Sequence, residues 1–233
     1  MTKQITRIVV TGGPCAGKST LMSRAVEIFS ERGYRVLIIH ETATELITGG
    51  ITPVPDNIGM YGFQKYVNKM MIEKEEIYNR AAEELKDENI LILLDRALLD
   101  NKGYVSEKEW EEITSGMGLN DEEIVRRYDM VLHLVTAANG AEEAYTLQNN
   151  AARYETVDDA IRVDNMIQKS WSIHPNRVII GNETDFEEKV RRAVQAIFSF
   201  LGKEKPVEKF KKYLVEVNPE VIGKLEQIGA QKD

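Results

Sequence analysis

Near its start the chain carries the pattern G-x-x-x-x-G-K-[ST], which constrains its fold more than any other feature. The stretch runs Gly12-Gly13-Pro14-Cys15-Ala16-Gly17-Lys18-Ser19-Thr20. An apolar segment, residues 5–11, precedes it, and apolar residues at helical spacing follow it as far as Phe29. Strand, glycine-rich turn and helix form the context in which this pattern binds phosphate. The stretch therefore predicts a phosphate-binding loop in an α/β protein.

The residue types in this loop match the chemistry of a bound triphosphate. Gly12, Gly13 and Gly17 let backbone N–H groups converge on phosphate oxygens, and the following helix offers its unpaired N–H groups and positive dipole end. Lys18 supplies a point charge for the β and γ oxygens, and Ser19 supplies a hydroxyl for Mg²⁺. We expect the whole loop to contact a nucleoside triphosphate.

Composition narrows the classes of protein. A chain of 233 residues suits one α/β domain with a small appendage. Its net charge of −8 argues against a broad nucleic-acid-binding surface. The single cysteine excludes an intramolecular disulfide and a cysteine-based metal site. Because the sequence shows neither a secretory signal nor a run of ~20 apolar residues, we expect a cytoplasmic protein without a membrane span. The oligomeric state cannot be predicted.

Five short apolar runs predict strands, at residues 5–11, 35–40, 89–95, 129–135 and 177–180. They alternate with segments of helical periodicity, which predicts a five-stranded parallel, doubly wound sheet with helices on both faces. A polar helical region is expected at 105–127, and a long helix at 57–86. The buried stripe of the long helix is expected to contain Phe63, Val67, Met70, Met71, Ile77, Ala81 and Leu85.

Ligands of such a sheet bind beyond the carboxyl ends of its strands, where three charged residues fall. Asp95 ends the third strand and is assigned to Mg²⁺ opposite Ser19; its alternative role is a helix N-cap. Arg96 follows and either clamps a substrate or phosphate or pairs with a neighbouring acid. Glu41 ends the second strand and either accepts a proton from an acceptor hydroxyl, holds a sugar hydroxyl, or is a surface acid.

Two further features remain open between functional and structural interpretations. Residues 136–156 lie where a lid would close on phosphates, and Arg153 is the only cation of that segment. Arg153, and with less support Arg162, could stabilise charge on the transferred phosphoryl group. Cys15 lies inside the phosphate loop near a helix N-terminus, and is either a redox-sensitive thiol or a small packing residue.

Three stretches together resemble the AAA-type ATPase and kinase-like domain family over about residues 5–201. They are the phosphate loop, the strand end Leu-Leu-Asp95-Arg96, and the stretch from Tyr128-Asp129 through Leu-Val-Thr-Ala-Ala-Asn-Gly-Ala-Glu-Glu. The family includes the nicotinamide-riboside-kinase-like domain of the bacterial NAD-biosynthesis regulator. It also includes the kinase-like domain of the TRPL-translocation-defect proteins, to which the third stretch looks closer.

The resemblance also bears on the end of the chain. In the translocation-defect group a triphosphate-tunnel (CYTH-like) domain follows this domain, and GTP is the nucleotide ascribed to it. Residues 207–217 look like the opening strand of such a domain, although the chain stops at Asp233. We therefore expect a kinase-like domain over 1–202, and an extension over 203–233 that is either the start of a tunnel domain or a strand-and-helix segment with another purpose.

The base of the nucleotide is harder to predict. Glu41 and the Asp95-Arg96 pair resemble the acids and arginine of deoxynucleoside-type kinases, with Glu41 as base, Asp95 on the metal and Arg96 on substrate. Asn182-Glu183-Thr184-Asp185 has the ends of the guanine-binding N-K-x-D pattern but lacks its lysine. The same turn contacts adenine in nucleoside-monophosphate-type kinases, so Asn182 is placed at the base. ATP is favoured, and GTP is the alternative.

Two functions follow from these observations. The first is a Mg²⁺-dependent, nucleoside-kinase-like enzyme that transfers the γ-phosphoryl group to a small hydroxyl-bearing acceptor. Lys18, Glu41, Asp95, Arg96 and Arg153 would perform its chemistry. The alternative is a nucleotide-dependent regulatory module that acts on a protein, a lipid headgroup or a triphosphate-tunnel domain. Hydrolysis that drives a ring assembly has less support, because no trans-acting arginine finger or helical lid domain is recognisable.

Overall fold

Five strands form one sheet in the computed structural model, which describes residues 3–141, 143 and 156–202. Their order is β2-β3-β1-β4-β5, and every neighbouring pair is parallel. The strands are β1 Gln4–Thr11, β2 Arg35–Ile39, β3 Asn89–Asp95, β4 Met130–Leu134 and β5 Arg177–Ile180. The predicted five-stranded parallel α/β sheet is confirmed.

Continuous apolar runs form these strands because both faces of the sheet are covered. In β3, Leu91 and Leu93 face one hydrophobic cluster, whereas Ile90, Ile92 and Leu94 face the other. The first cluster is completed by the helix that follows the phosphate loop and by the last helix of the domain. The sheet is therefore the middle layer of three.

Seven α-helices lie in the described part of the chain: α1 Lys18–Ser30, α2 Thr42–Thr48, α3 Gly59–Glu84, α4 Glu107–Gly116, α5 Asp121–Val125, α6 Val157–Ser170 and α7 Phe186–Phe200. Helices α1 and α7 cover one face of the sheet. The other face is covered by α3, α6 and the 3₁₀ helix Leu98–Tyr104. The predicted polar helical region is thus two short helices that follow a 3₁₀ helix. None of the described helices combines the length and apolarity that a membrane crossing requires.

The buried stripe of α3 differs from its prediction. Ile77 and Ala81 were expected to be buried, but both are exposed, Ile77 at 64%. Glu75 is buried instead. The Arg127 guanidinium lies 2.8 Å from its carboxylate, and the Tyr128 hydroxyl donates to it over 2.7 Å. These partners satisfy the buried charge, and because they lie more than fifty positions away, helical periodicity alone could not reveal them.

The strand order brings the predicted site residues to one edge of the sheet. β3 lies between β1 and β2, and Asp95 pairs in register with Val10, just before the phosphate loop. The chain leaves β2 at Glu41 and leaves β3 at Arg96, so both residues lie on the same side of the loop. The turn after β5 lies on the opposite side, beyond β4. The loop therefore occupies the centre of this edge.

Candidate active site

The backbone of the phosphate loop takes conformations that ordinary residues rarely adopt. Gly12 has a φ of +137°, Gly17 of +94°, and Cys15 of +54°. A non-glycine residue with positive φ costs free energy and is concentrated at functional sites. A β-carbon added at Gly12 would lie 1.9 Å from the Leu134 carbonyl oxygen, at the end of β4. The first glycine of the motif is therefore required both by its conformation and by the close approach of another strand.

The first turn of α1 is left open to an anion. Side chains cap the N-termini of four other helices, α4, α5, α6 and α7. By contrast, α1 begins after Gly17 with no side-chain cap, as α2 and α3 also do, and no acidic residue lies in its first turn. Its first N–H groups and the positive end of its dipole are therefore available to phosphate oxygens.

Lys18 lies buried within the loop that it is predicted to serve. Its Nζ donates hydrogen bonds to the carbonyl oxygens of Gly12, at 3.2 Å, and Gly13, at 3.1 Å. Its positive charge contributes to the lowered pKa of Glu41 and opposes the rise that burial causes in the pKa of Asp95. The ammonium group is thus placed between the loop backbone and the two acids.

A cleft of about 840 Å³ opens in front of the loop. Residues 15–20 line its centre, and Glu41 and Asp95 line it on the β2–β3 side. Asn182 and Phe186 line it on the β4–β5 side. One cavity therefore contains the phosphate loop, the two acids and the turn after β5, each of which was proposed from the sequence. Its size suits a small-molecule ligand.

Glu41, which lines the β2–β3 side of the cleft, forms a close ion pair with Arg96, which is not itself a lining residue. The Arg96 Nε donates to Glu41 Oε1 over 2.6 Å, with side chains that are 10% and 25% exposed respectively. Arg96 has a φ of +67°, and its N–H donates to the Val10 carbonyl. Its Nη1 is buried and has no hydrogen-bond partner among the described residues. A strained arginine with a spare buried donor is an arrangement typical of ligand sites.

The environment of Glu41 keeps its carboxylate ionised. Burial alone would raise the pKa of this group, but the positive charges of Arg96 and Lys18 and the hydrogen bonds from Thr44 and Arg96 together lower it to about 2. The Thr44 hydroxyl donates to Oε2 over 2.6 Å. In this state the carboxylate is a strong hydrogen-bond acceptor and a weak base.

This depressed pKa makes the contribution of Glu41 to folding dependent on pH. Since the pKa falls from 4.5 in the unfolded chain to about 2, the stabilisation is fully present above pH 4.5 and is lost as the pH falls toward 2. We expect the difference in unfolding free energy between the wild type and Glu41→Gln to shrink on acidification, by at most about 3 kcal/mol. Urea unfolding at pH 7, 5, 4 and 3 measures it. A difference that stays constant would contradict an ionised, paired Glu41.

Asp95 carries an unsatisfied oxygen suited to a hard cation. Its Oδ1 is buried and has no hydrogen-bond partner in the described part of the chain. Burial raises the pKa of its carboxyl, as does the nearby Glu41, while Lys18 lowers it. Ser19 lines the same cleft. A carboxylate oxygen and a hydroxyl beside a phosphate loop are ligands that Mg²⁺ accepts, together with phosphate oxygens and water.

No larger metal centre is found in the part of the chain that the structure describes. Within residues 3–141, 143 and 156–202, no group of three or more histidine, cysteine, aspartate and glutamate residues is placed to hold an ion. A magnesium site of the phosphate-loop kind needs one or two carboxylates, so the pairing of Asp95 with Ser19 remains compatible with it.

The β4–β5 side of the cleft is held rigidly by polar contacts. The Asn182 side chain donates to the carbonyl oxygens of Thr136, at 2.8 Å, and Asn139, at 2.6 Å. The buried Lys189 Nζ donates to Asn182 Oδ1 and to the Val135 carbonyl, both over 2.7 Å. Burial lowers the pKa of Lys189 to about 8. The Asn182 side chain thus joins the two strand-end loops.

A buried acid that sequence reasoning did not single out supports the loop from behind. Asp164 in α6 accepts a hydrogen bond from the Gly13 N–H over 2.6 Å, and its Oδ1 lies 3.0 Å from His133 Nε2. Burial would raise the pKa of Asp164, but these contacts and one from Gln168 lower it. The available signal was its place in an apolar stripe between Ala160 and Ile167, where an acid needs a buried partner.

Some predicted features lie outside the described residues, and others are placed as one of their two interpretations expects. Arg153 and residues 142 and 144–155 of the predicted lid 136–156 lie outside the described residues, as does the extension 203–233. Arg162 is 62% exposed and lies 3.6 Å from Asp159 one turn earlier, which fits the interpretation as a surface residue. Cys15 is partly exposed and lines the cleft.

The parallel sheet, the uncapped helix behind a glycine-rich turn and the buried lysine define a P-loop nucleotide-binding domain of the α/β class. The chain belongs to the AAA domain family: the model of that family matches residues 7–189, from β1 to the first turn of α7. The AAA-type family predicted from the sequence is confirmed. No match was found among curated proteins.

Membership in this family indicates nucleotide binding with hydrolysis or transfer of a phosphoryl group. The finer resemblance, to riboside-kinase-like domains or to the translocation-defect group, remains a prediction. So do the roles of the individual side chains in the cleft.

Proposed function

We propose that this chain binds ATP or GTP with Mg²⁺ and transfers the γ-phosphoryl group to a small hydroxyl-bearing acceptor. The observation that carries the proposal is the Glu41–Arg96 pair beside the phosphate loop. Binding a triphosphate needs only the loop and its helix. A half-buried acid that lines the cleft, paired with a strained arginine that has a spare buried donor, supports a second pocket for an acceptor on the β2–β3 side.

The loop and its neighbours hold the nucleotide in this proposal. The N–H groups of the loop and of the first turn of α1 bind the phosphates, and Lys18 exchanges its carbonyl partners for β and γ oxygens. Ser19 and Asp95 hold Mg²⁺, which neutralises charge on the phosphates when it is bound. The Asp95 oxygen that has no partner among the described residues would then be a ligand of that ion.

Glu41 and Arg96 act on the acceptor and on the transferred group. The acceptor hydroxyl donates to the Glu41 carboxylate, which orients its oxygen toward the γ-phosphorus. As the new P–O bond forms, the bond to the β–γ bridging oxygen breaks, the nucleoside diphosphate leaves, and the proton of the acceptor hydroxyl passes by way of Glu41 to water. Arg96 stabilises charge on the moving phosphoryl group, and Arg153 is proposed as a second clamp. A pKa near 2 is tolerable because phosphoryl transfer depends on positioning and charge stabilisation more than on a strong base.

The same low pKa favours one alternative. A nucleotide-dependent regulatory module needs no base, and in it the Glu41–Arg96 pair would respond to the γ-phosphate and alter affinity for a protein, a lipid headgroup or a triphosphate-tunnel domain. That module predicts different partner affinity with di- and triphosphate, and no phosphorylated acceptor. Equal affinity with both nucleotides would remove it.

Product formation tests the proposed transfer. We expect nucleosides or nicotinamide riboside, in a broad panel of small hydroxyl compounds, to stimulate nucleotide turnover and to yield a phosphorylated product detectable by mass spectrometry. Glu41→Gln keeps the size of the side chain but loses the charged acceptor, so we expect a loss of transfer of about 10²-fold or more. Glu45→Gln is the matched control, since Glu45 is an exposed partner of Lys74. A panel without product, together with unchanged turnover in Glu41→Gln, would remove the proposal.

A further inference from the structure

Phe186 places an aromatic ring on the β4–β5 side of the cleft. It is the first residue of α7, lines the cleft and is 44% exposed. A β-carbon added at Gly17 would lie 2.6 Å from Cε2 of the ring, so the ring rests against the backbone at the end of the phosphate loop. An exposed phenylalanine held in place beside a phosphate site is a surface suited to a flat, apolar partner.

The cleft that Phe186 lines also has small side chains from beyond the end of β4. Ala137, Gly140 and Ala141, from the segment after β4, line the same cleft. Small residues near an aromatic ring leave room for a second ring at stacking distance. In the proposed function the triphosphate lies at the centre of the cleft and the acceptor on the β2–β3 side, so the nucleobase falls on the side that holds Phe186.

The polar side chains on this side are already engaged within the protein. Both N–H groups of the Asn182 amide donate to backbone carbonyls, and its oxygen accepts from Lys189. Asp185 caps α7, since its Oδ1 accepts a hydrogen bond from the Glu188 N–H over 2.8 Å. Reading the edge of a base by hydrogen bonds requires side chains with free donors and acceptors. Asn182 and the Asp185 Oδ1 therefore hold the protein's own structure, while the second Asp185 carboxylate oxygen makes no hydrogen bond with the described residues and is tested below.

We propose that Phe186 is the stacking platform for the nucleobase and that the site discriminates little between adenine and guanine. This inference rests on the proposed nucleotide site and specifies its substrate class as purine nucleoside triphosphates in general. Stacking accepts either purine because each presents a flat π face, whereas discrimination needs contacts to the base edge. In this proposal the site binds both ATP and GTP, which resolves the choice that the sequence left open.

Calorimetric titration of the full chain with Mg²⁺ and ATP, GTP or inorganic tripolyphosphate tests this proposal. Phe186→Ala is expected to weaken ATP and GTP binding by similar factors, about 10- to 100-fold, because stacking on one aromatic side chain is lost. Tripolyphosphate, which has no base, is expected to bind the variant within about twofold of the wild type. The wild type itself is expected to bind ATP and GTP within about fivefold of each other.

Two matched substitutions separate stacking from packing. Phe186→Leu keeps an apolar side chain against Gly17 but removes the π face, so we expect it to weaken nucleotide binding as alanine does. Phe186→Trp keeps a π face and is expected to bind nucleotides at least as tightly as the wild type. If leucine restores wild-type affinity, or if Phe186→Ala weakens tripolyphosphate binding as much as ATP binding, the ring only supports the loop and the proposal is overturned.

A substitution at Asp185 tests whether its carboxylate recognises the edge of the nucleobase. Asp185→Asn keeps a good helix N-cap and removes the carboxylate, so we expect the ratio of GTP to ATP affinity to stay within about twofold. A selective loss of GTP binding of tenfold or more would show that Asp185 reads guanine and would overturn the proposal. If the stacking proposal is wrong, tripolyphosphate binding and phosphorylation of the acceptor are still expected to be intact. Failure of the proposed transfer instead appears as missing product while base-dependent binding persists.

Discussion

Replacing Arg96 by glutamine is expected to lower phosphoryl transfer by about 10³-fold or more while nucleotide affinity changes by less than about tenfold. The guanidinium lies beside Glu41 and Asp95, and it has a buried Nη1 without a partner among the described residues. Charge on the transferred group develops mainly in the transition state, so the loss falls on turnover. The loop, Lys18 and the α1 N-terminus hold the ground-state triphosphate without Arg96.

Rapid-quench measurement of product and calorimetric measurement of ATP affinity separate these two effects. Arg24→Gln is the matched control, because Arg24 is an arginine on the same domain that pairs with Glu187 at an exposed site, over 2.5 Å. We expect this control to retain full transfer. Transfer by Arg96→Gln at more than about a tenth of the wild-type rate would show that Arg96 has no part in stabilising the transition state.

Loss of folding is the competing explanation for a weak Arg96 variant, and the ion pair itself offers the means to exclude it. Arg96→Gln leaves the partly buried Glu41 carboxylate without its nearest cation, which destabilises the chain. The double variant Glu41→Gln/Arg96→Gln removes both charges and is expected to recover part of that stability without recovering transfer. Stability restored together with activity would mean that the single variant failed only because it unfolded.

The strands and the phosphate loop could be predicted because their signals are local. β3 and β5 match the predicted apolar runs at 89–95 and 177–180, and the glycine pattern places the loop after β1. Asp95 and Glu41 could be proposed because carboxyl ends of parallel strands meet at one edge. The strand order, which brings β3 beside β1, then places both acids on one side of the loop.

The parts that escaped prediction depend on distant partners. Asp164 supports Gly13 from 151 positions away, and Lys189 holds the Val135 carbonyl from 54 positions away. In each case a charged residue in an apolar stripe signals a buried contact, but the stripe does not identify the partner. Asn182 illustrates the reverse: its place in the turn was predicted, whereas the engagement of its side chain with Thr136 depends on how two loops converge.

Gly12→Ala is expected to be the most destabilising single substitution in the phosphate loop. Its β-carbon would lie 1.9 Å from the Leu134 carbonyl oxygen, which is backbone at the end of β4 and cannot rotate away. The position also has a φ of +137°, which an L-residue rarely adopts. Loop and strand would have to separate, so we expect a loss of more than about 4 kcal/mol, the range of severe core disruptions, or an insoluble chain.

Gly33→Ala separates the steric clash from backbone strain. Gly33 has a φ of +80°, but a β-carbon there would meet no atom within 4 Å. We expect it to cost about 1–2 kcal/mol, the strain of a left-handed residue alone. Urea unfolding of both variants measures the difference. Equal losses would mean that β4 yields to the added methyl group, and the close contact between the loop and β4 would then have no part in holding the phosphate site in shape.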